Sequence, residues 1–183
     1  MNTLENKTTV NEHYLKTLIS KMTGYSKSNS RTSVSDAMIA AVGAFCCVLP
    51  VFVLTEYTNS IWFIASFGAS IMLVIAAWNA PVGQPRNVIG SYLIASIISL
   101  TISTQFGSSP ILISLALCLT IFFMLLARTF HPPACGNTII IMMGDYGWDF
   151  IFHPVLLGTI IIVIFALIIN NLHPKRKYPM YWW

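Results

Sequence analysis

The residues best suited to chemistry lie in one stretch, Arg-Thr-Phe-His-Pro-Pro-Ala-Cys-Gly-Asn-Thr, which covers residues 128–138. Two prolines are tolerated where a helix starts, because the first-turn amides have no partner within the helix. Pro132 and Pro133 therefore predict a new helix. The remaining free amides of its first turn, at the positive end of the helix dipole, would favour an anion. Arg128 and His131 would add a positive charge and a proton donor.

The same stretch has a plainer interpretation. His-Pro-Pro can be only a signal that stops one helix and starts the next, with Arg128 reaching the membrane surface. Two features favour a site instead: a half-length apolar helix, residues 134–143, follows directly, and ionisable groups at membrane depth are usually functional. We therefore predict that this stretch supplies substrate-binding residues, namely Arg128, His131, Pro132, Pro133, Ala134, Asn137 and Thr138.

Two further stretches contain candidate binding residues. One is a run of mainly small residues that permits close backbone approach, Ser66, Phe67, Gly68, Ala69 and Ser70; ordinary packing between helices is an equally good interpretation of it. The other is the turn Gln-Pro-Arg-Asn, where Arg86 and Asn87 offer a guanidinium and an amide that can hydrogen-bond a planar oxyanion. A simple cytoplasmic loop is the alternative there.

Other chemistry finds little support in the sequence. Asp145 and Asp149 have no histidine or third carboxylate at metal-ligand spacing, and the four cysteines form no C-x-x-C pair. No Ser-His-Asp, P-loop or dinucleotide motif occurs. A membrane enzyme with His131 as general base would need an acidic partner, and Asp145 is the only acid nearby. We therefore expect no enzyme, no cofactor and no metal.

The elements that would position these residues are apolar helices. The chain of 183 residues is 56% hydrophobic and 9% charged, whereas soluble domains are about a quarter charged. Five apolar stretches approach the roughly 20 residues that a membrane-spanning helix needs; they are residues 37–54, 61–78, 88–106, 111–127 and 151–172. The sixth, 134–143, is too short to cross as a regular helix and must be a half-helix, a re-entrant segment or a broken crossing.

The charges indicate how these segments cross. Lys and Arg precede the first stretch, follow the last, and occur between as Arg86 and Arg128, whereas the loops near Glu56, Gly107 and Asp145 have none. The positive-inside rule places all the basic groups in the cytoplasm, which requires an even number of crossings. We favour an all-α bundle of six crossings; four or five spans with a re-entrant half-helix are the alternative.

A weak internal repeat supports six crossings. Residues 65–70 and 128–134 each lie in or lead into the middle segment of a three-segment half, and a Pro then a Gly introduce the last helix of each half. Those pairs are Pro85 with Gly90 and Pro154 with Gly158. Halves of three crossings would be inverted repeats, a geometry common in secondary transporters.

The predicted organisation has three parts: a polar basic arm (1–36) with an amphipathic segment at 12–22, a transmembrane domain (37–173) and a basic, aromatic cytoplasmic tail (174–183). The net charge of +4 comes with no basic stripe interleaved with aromatics, so nucleic acid is not an expected partner. The lipid bilayer is one. Small-residue faces are compatible with a homo-oligomer. We expect a bacterial inner membrane, with both termini cytoplasmic.

Taken together and in order, the motifs resemble the HPP family of integral membrane proteins. The resemblance runs from about Ser35 onward and rests on five stretches, residues 65–70, 84–90, 128–134, 154–158 and 178–182. The chain departs from the family pattern after the prolines, where Asn137 stands among residues that are usually small. The family is usually described as having four transmembrane segments, whereas the charge pattern and the repeat favour six here.

The resemblance implies an anion transporter, since plant chloroplast members of the family are associated with nitrite transport. This agrees with the anion site predicted from the residues. Our hypothesis is that two broken helices meet near the midplane, with N-termini at residues 68–70 and 132–134, and that their amides bind nitrite or a similar monovalent oxyanion. His131 would carry a coupled proton, while Arg128 or Arg86 would draw the anion in. The alternative function is a non-transporting scaffold or sensor subunit.

Overall fold

The helix Val34–Thr58 begins where it does because Ser33 caps it. The Ser33 hydroxyl accepts a hydrogen bond from the Asp36 amide (3.0 Å) and donates one to the Asp36 carboxylate (2.7 Å). The helix therefore starts three residues before the apolar stretch that was predicted from residue 37. The computed structural model describes residues 16–17, 20–22 and 32–182. Most of the predicted polar arm, including most of the amphipathic segment 12–22, lies outside these residues.

The described residues form helices and turns without a strand, which confirms the all-α prediction. Between residues 32 and 182, six α-helices follow one another: α1 (Val34–Thr58), α2 (Ala65–Ala76), α3 (Pro85–Phe106), α4 (Pro110–Leu126), α5 (Pro133–Met143) and α6 (Leu157–Leu172). In the described part of the chain, three helical segments are long and apolar enough to cross a membrane: α1, α3 and the segment Trp148–Leu172 that ends with α6.

Two of the helices, α2 and α5, are short. With 12 and 11 residues, they extend about 16 to 18 Å, roughly half of a 30 Å hydrocarbon core. For α5 this confirms the predicted half-helix. For α2 it corrects the sequence interpretation, since the apolar stretch 61–78 contains four non-helical residues before Ala65 and a turn after Ala76. Apolar composition alone does not show that the Ile64 backbone is extended (φ −112°, ψ 145°).

The segments that lead into these short helices pack against neighbouring long helices. Before α2, the Phe63 ring stacks on Phe52 of α1, with 4.6 Å between ring centroids. Before α5, Thr129 lies against Gly90 in the second turn of α3, where an added Cβ would meet the Thr129 methyl at 2.9 Å. Each short helix therefore starts well below the end of its longer neighbour, as was predicted for α5.

The contacts show that the six helices alternate in direction. Tyr92 and Ser96 of α3 approach His131 and Asn137 in the same order, so α3 and α5 are parallel. Each remaining direction follows from a pair of contacts. α1 is antiparallel to α2 (Gly43 with Ile75, Phe52 with Phe63 just before α2), and α2 is antiparallel to α5 (Ser70 with His131, Ser66 with Gly136). α4 is antiparallel to α5 (Thr120 with Thr138, Ala116 with Met142), and α6 is parallel to α2 (Phe67 with Gly158, Val74 with Asn170).

One end of the bundle, here called the basic end, brings together residues 33–36, 77–87, 127–132 and 173–182. Arg176 pairs with Asp36 across it (3.1 Å), and the Arg86 guanidinium donates to the Ala127 carbonyl (3.2 Å). Arg128, Lys175 and Lys177 lie at this end too, whereas Glu56, Asp145 and Asp149 belong to the opposite half. The charges are thus separated as the sequence predicted.

The outside of the bundle is apolar and much of its interior is polar. Large apolar side chains such as Phe45, Phe122 and Ile164 are exposed. The buried polar residues of the helices and their connections include Ser66, Ser70, Ser91, Tyr92, Ser96, Ser99, Thr120, Thr129, His131, Asn137 and Thr138. This distribution fits a bundle surrounded by lipid, where ionisable and polar groups face inward.

The start of the last helical segment is irregular. A 3-10 turn (Trp148–Ile151) and a wide turn (Phe152–Leu156) precede α6, and His153 has a non-helical backbone (φ −136°, ψ 116°). Gly158, the glycine that follows Pro154 in the sequence repeat, lies where α6 packs closely on α2. A Cβ on Gly158 would lie 2.3 Å from the Phe67 ring of α2. Glycine therefore lets α6 approach the short helix α2.

Candidate functional site

Three side chains from three elements meet in the interior. Ser70 in α2, Tyr92 in α3 and His131 before α5 are all fully buried. The Ser70 hydroxyl oxygen lies 2.8 Å from His131 Nε2 and 2.9 Å from the Tyr92 hydroxyl. Ser70 and His131 were both predicted as site residues, from separate stretches of sequence, and the structure brings them into direct contact.

A backbone contact fixes the protonation pattern of the histidine. His131 Nδ1 lies 2.6 Å from the Val82 carbonyl oxygen, which can only accept a hydrogen bond. Nδ1 therefore carries a proton. In the neutral ring Nε2 has a free lone pair, so Ser70 donates to it and Tyr92 donates to Ser70. The neutral cluster is thus a chain of donors that runs from Tyr92 through Ser70 to His131.

This chain can accept a proton without losing its contacts. When His131 Nε2 becomes protonated, it donates to Ser70, and the Ser70 proton turns to the Ser66 carbonyl (3.3 Å) or to Tyr92. A hydroxyl can exchange donor and acceptor roles in this way because it has one proton and two lone pairs. The arrangement therefore suits a site where a proton is taken up and released.

A second polar group continues from this cluster along α3 and α5. The Asn137 amide donates to the Ser96 hydroxyl (2.9 Å), and the Thr138 hydroxyl donates to Thr120 of α4 (3.1 Å). Asn137 and Thr138 were predicted; Tyr92, Ser96 and Thr120 were missed. A usable signal existed in α3, since Tyr92, Ser96 and Ser99 recur at helical spacing in an otherwise apolar stretch.

Several buried polar atoms have no hydrogen-bond partner within the described part of the chain. They include the hydroxyl oxygens of Ser66, Ser91 and Thr129 and the side-chain carbonyl oxygen of Asn137. Buried polar atoms are nearly always paired, so orphaned ones indicate a place that water or a ligand occupies. Ser66 lies on α2 one turn before Ser70, where its side chain packs against Gly136 of α5.

The amides that were predicted to bind an anion at α5 are occupied. Pro132 and Pro133 have no N–H, and the next two amides, of Ala134 and Cys135, donate to the His131 and Pro132 carbonyls (3.1 and 3.0 Å). A tight first turn thus consumes its own donors. At α2 the first such bond runs from the Phe67 amide to the Ile64 carbonyl (2.9 Å). The amides of Ala65 and Ser66 are therefore the first-turn donors of α2 that have no partner within the described residues.

The helix N-termini also differ from the hypothesis in their arrangement. The pairs Ser66 with Gly136 and Ser70 with His131 show that α2 and α5 run side by side in opposite directions. Their N-termini therefore pass each other and do not meet end to end. What meets at the centre is side chains, those of Ser70 and His131.

The other predicted site residues have scattered positions. Gly68 and Ala69 are exposed on the outer face of α2, with nothing within 4 Å of a Cβ added to Gly68. Arg128 is exposed, with a left-handed backbone (φ 54°). Asn87 is buried and donates to the Pro81 carbonyl, which stabilises the turn before α3. Phe67, Pro133 and Ala134 are buried, whereas Pro132 is exposed.

Comparison with known proteins identifies the family. The profile of the HPP transmembrane region matches residues 29–179, which covers most of the chain and all six helices. The chain belongs to the HPP family. Together with the apolar helices, this membership makes it an integral membrane protein.

Two relatives are transmembrane proteins of Dictyostelium discoideum. One is 33% identical over 128 residues, which cover 66% of this chain and 45% of that protein. The other is 32% identical over 137 residues, covering 70% of this chain and 44% of that protein. The HPP chain thus spans less than half the length of these relatives. No solved structure matches it.

Proposed function

We propose that this HPP protein transports a small monovalent oxyanion, nitrite, together with a proton. The observation that carries this proposal is the buried cluster of Ser70, Tyr92 and His131, which lies between two short helices inside an apolar bundle. Ionisable groups are costly in such surroundings and usually mark a substrate or proton pathway. Membership of the HPP family supports an anion as the substrate through the nitrite association of its plant members.

The energetics favour coupling to a proton. An isolated anion transferred into a low-dielectric interior costs tens of kcal/mol by Born solvation. A proton on His131 would offset most of this cost, because the anion and the imidazolium would form a neutral pair. Ser70 and the orphaned Ser66 hydroxyl would then donate to the anion oxygens, in the role first assigned to the α5 amides. The site would be built from side chains.

The direction of entry follows from the charges. We propose that all six helices cross the bilayer, with each short helix completed by the segment leading into it, and that the basic end faces the cytoplasm. Arg86 and Arg128 would raise the local anion concentration there, as basic clefts do for charged substrates. In each half the shortest helix lies between two longer segments, α2 between α1 and α3, and α5 between α4 and Trp148–Leu172; this order favours an inverted repeat.

Flux measurements test the proposal. Protein reconstituted in liposomes should take up nitrite when a proton gradient is imposed, and parallel assays with nitrate, formate and chloride would give the selectivity. His131→Ala and Ser70→Ala should each lower uptake roughly tenfold or more, as expected if each group contributes at least about 1.4 kcal/mol. Ser114→Ala is a matched control, because that hydroxyl is exposed and bonds only within α4.

The outcomes separate the candidate functions. Normal uptake by both folded variants would remove Ser70 and His131 from the mechanism. Absence of flux for all four anions with folded wild-type protein would contradict transport and would favour a scaffold or sensor subunit.

A further inference from the structure

A tail segment, residues 173–182, is fixed onto the basic end by buried contacts. The Arg176 side chain is 4% exposed. It donates to the Ile75 carbonyl of α2 (3.1 Å), the Asn170 side chain (3.2 Å) and the Asp36 carboxylate (3.1 Å). The Asn171 side chain accepts from the Tyr178 amide (3.0 Å) and donates to the Tyr178 carbonyl. The path of the tail segment is thus fixed at Arg176 and at Tyr178.

Buried hydrogen bonds join the tail segment to the turn between α2 and α3. The buried Tyr178 hydroxyl donates to the Gly83 carbonyl (2.9 Å), and the Met180 amide donates to the side chain of Gln84 (2.7 Å). Burial raises the pKa of Tyr178, so its hydroxyl keeps its proton and remains a donor. Gln84, also fully buried, donates in turn to the Trp78 and Ala80 carbonyls (both 3.0 Å).

Val82 lies in the middle of this supported turn. It belongs to a single 3-10 turn, Pro81–Gly83, whose own bonds are those from Gly83 to Ala80 (3.1 Å) and from Gln84 to Pro81 (3.2 Å). One such turn has poor hydrogen-bond geometry and little intrinsic stability. The Val82 carbonyl nevertheless meets His131 Nδ1 at 2.6 Å. Its position therefore depends on the two residues that follow it, Gly83 and Gln84.

We infer that Tyr178 and Gln84 are positioning residues for His131. By holding the turn, they keep the Val82 carbonyl against Nδ1, and this bond leaves Nε2 free to accept from Ser70. Neither residue is hydrogen-bonded to His131 itself. Their importance for transport rests on the proposed function, whereas their effect on the imidazole can be measured without it.

The experiment compares two Tyr→Phe substitutions in the same tail segment. Tyr178→Phe removes the donor to Gly83. Tyr181→Phe is the matched control, because that hydroxyl is partly exposed, makes a longer bond to the Pro81 carbonyl (3.3 Å), and leaves this carbonyl a second donor in Asn87 (2.6 Å). Each variant is labelled with ¹⁵N-histidine, and the His131 ring signals are assigned by their absence in His131→Ala.

In the neutral ring, wild-type His131 should give one protonated and one unprotonated nitrogen signal, assigned to Nδ1 and Nε2. Tyr178→Phe should move the two signals toward each other, because a displaced Val82 carbonyl lets the other tautomer donate to Ser70. Tyr181→Phe should leave them unchanged. Gln84→Met, which removes all three hydrogen bonds of that side chain, should act like Tyr178→Phe. Signals that stay separate in folded Tyr178→Phe and Gln84→Met would overturn the inference.

Nitrite uptake provides the separate test of function. It should fall severalfold in Tyr178→Phe and remain near the wild-type rate in Tyr181→Phe. If the His131 signals shift in Tyr178→Phe while the wild-type protein shows no nitrite flux, the positioning role is supported and transport is contradicted. If the wild-type protein transports nitrite while the His131 signals stay unchanged in Tyr178→Phe, transport is supported and the positioning role is contradicted.

Discussion

Asn137 connects α5 to α3 through one hydrogen bond, and its side-chain oxygen has no partner within the described residues. Inside a bilayer such a bond contributes about 0.6 kcal/mol on average and about 1.7 at most, because polar groups find other partners in the unfolded state. The asparagine is therefore a modest source of stability. The side-chain oxygen of Asn137, on α5 beyond the chain formed by Tyr92, Ser70 and His131, is available to accept a hydrogen bond from water or from another donor.

A double-mutant cycle measures this bond. Ser96→Ala and Asn137→Ala should each lower the unfolding free energy by about 1 kcal/mol, and the double variant should lose less than the sum, with a coupling of about 0.5–1.5 kcal/mol. Thermal or denaturant unfolding in detergent micelles gives the values. Strictly additive losses would show that the 2.9 Å contact is not formed in the protein.

The sequence predicted Ser70 and His131 because each is marked locally, by small residues in one case and by prolines in the other. It predicted that their two stretches meet, but through backbone amides; the direct contact of the two side chains, which are 61 residues apart, was not predicted. Tyr92 was missed because its two partners lie in other elements and nothing next to it in the chain is unusual. Residue type can thus be read from the sequence, whereas the pairing of residues depends on how the helices pack.

At the scale of elements, two helical glycines have opposite surroundings. Gly158 of α6 lies against Phe67, where a Cβ would come within 2.3 Å of the ring, whereas Gly68 on the outer face of α2 has open space.

Lengths and boundaries of elements were predicted well where a helix is long. The stretch 61–78 was overestimated, because in a membrane protein apolar non-helical residues have the same composition as helical ones.

Alanine substitutions at these glycines distinguish close packing from helix propensity. Gly158→Ala should destabilise the protein by about 1–3 kcal/mol, because it overpacks the contact between α6 and α2. Gly68→Ala should be neutral or should stabilise by up to about 1 kcal/mol through propensity alone. Unfolding in micelles measures both values. Equal effects of the two substitutions would mean that α6 and α2 are farther apart than described.

At the scale of the bundle formed by residues 33–182, the alternating directions of six helices place residues 59–60, 107–109 and 144–147 at one end and the basic groups of this bundle at the other. The charge pattern predicted this separation correctly, because the separation depends only on which connections between apolar stretches contain Lys or Arg. The start of α5 was predicted correctly because its prolines mark it. The first short helix was predicted to begin at residues 68–70, whereas α2 begins at Ala65, after an extended segment that carries no such mark.

Site-directed labelling tests the proposed crossings. In a cysteine-free background, cysteines placed at Ser60, Ser108 and Gly147 should all react with a membrane-impermeant thiol reagent added outside intact cells. A cysteine at Arg128 should react only after the membrane is permeabilised. Labelling of residues 60 and 108 from opposite sides would contradict six crossings and would favour a four- or five-span arrangement.

The capping of α2 has a consequence for how the protein is made. The Val74 and Ile75 carbonyls, near the end of that helix, receive their donors from Asn170 and Arg176, which are 96 and 101 positions later in the chain. During synthesis α2 enters the membrane long before either donor has been translated. Its terminal carbonyls must rely on water or headgroups until then, so the second helix of this bundle is among the last to reach its final state.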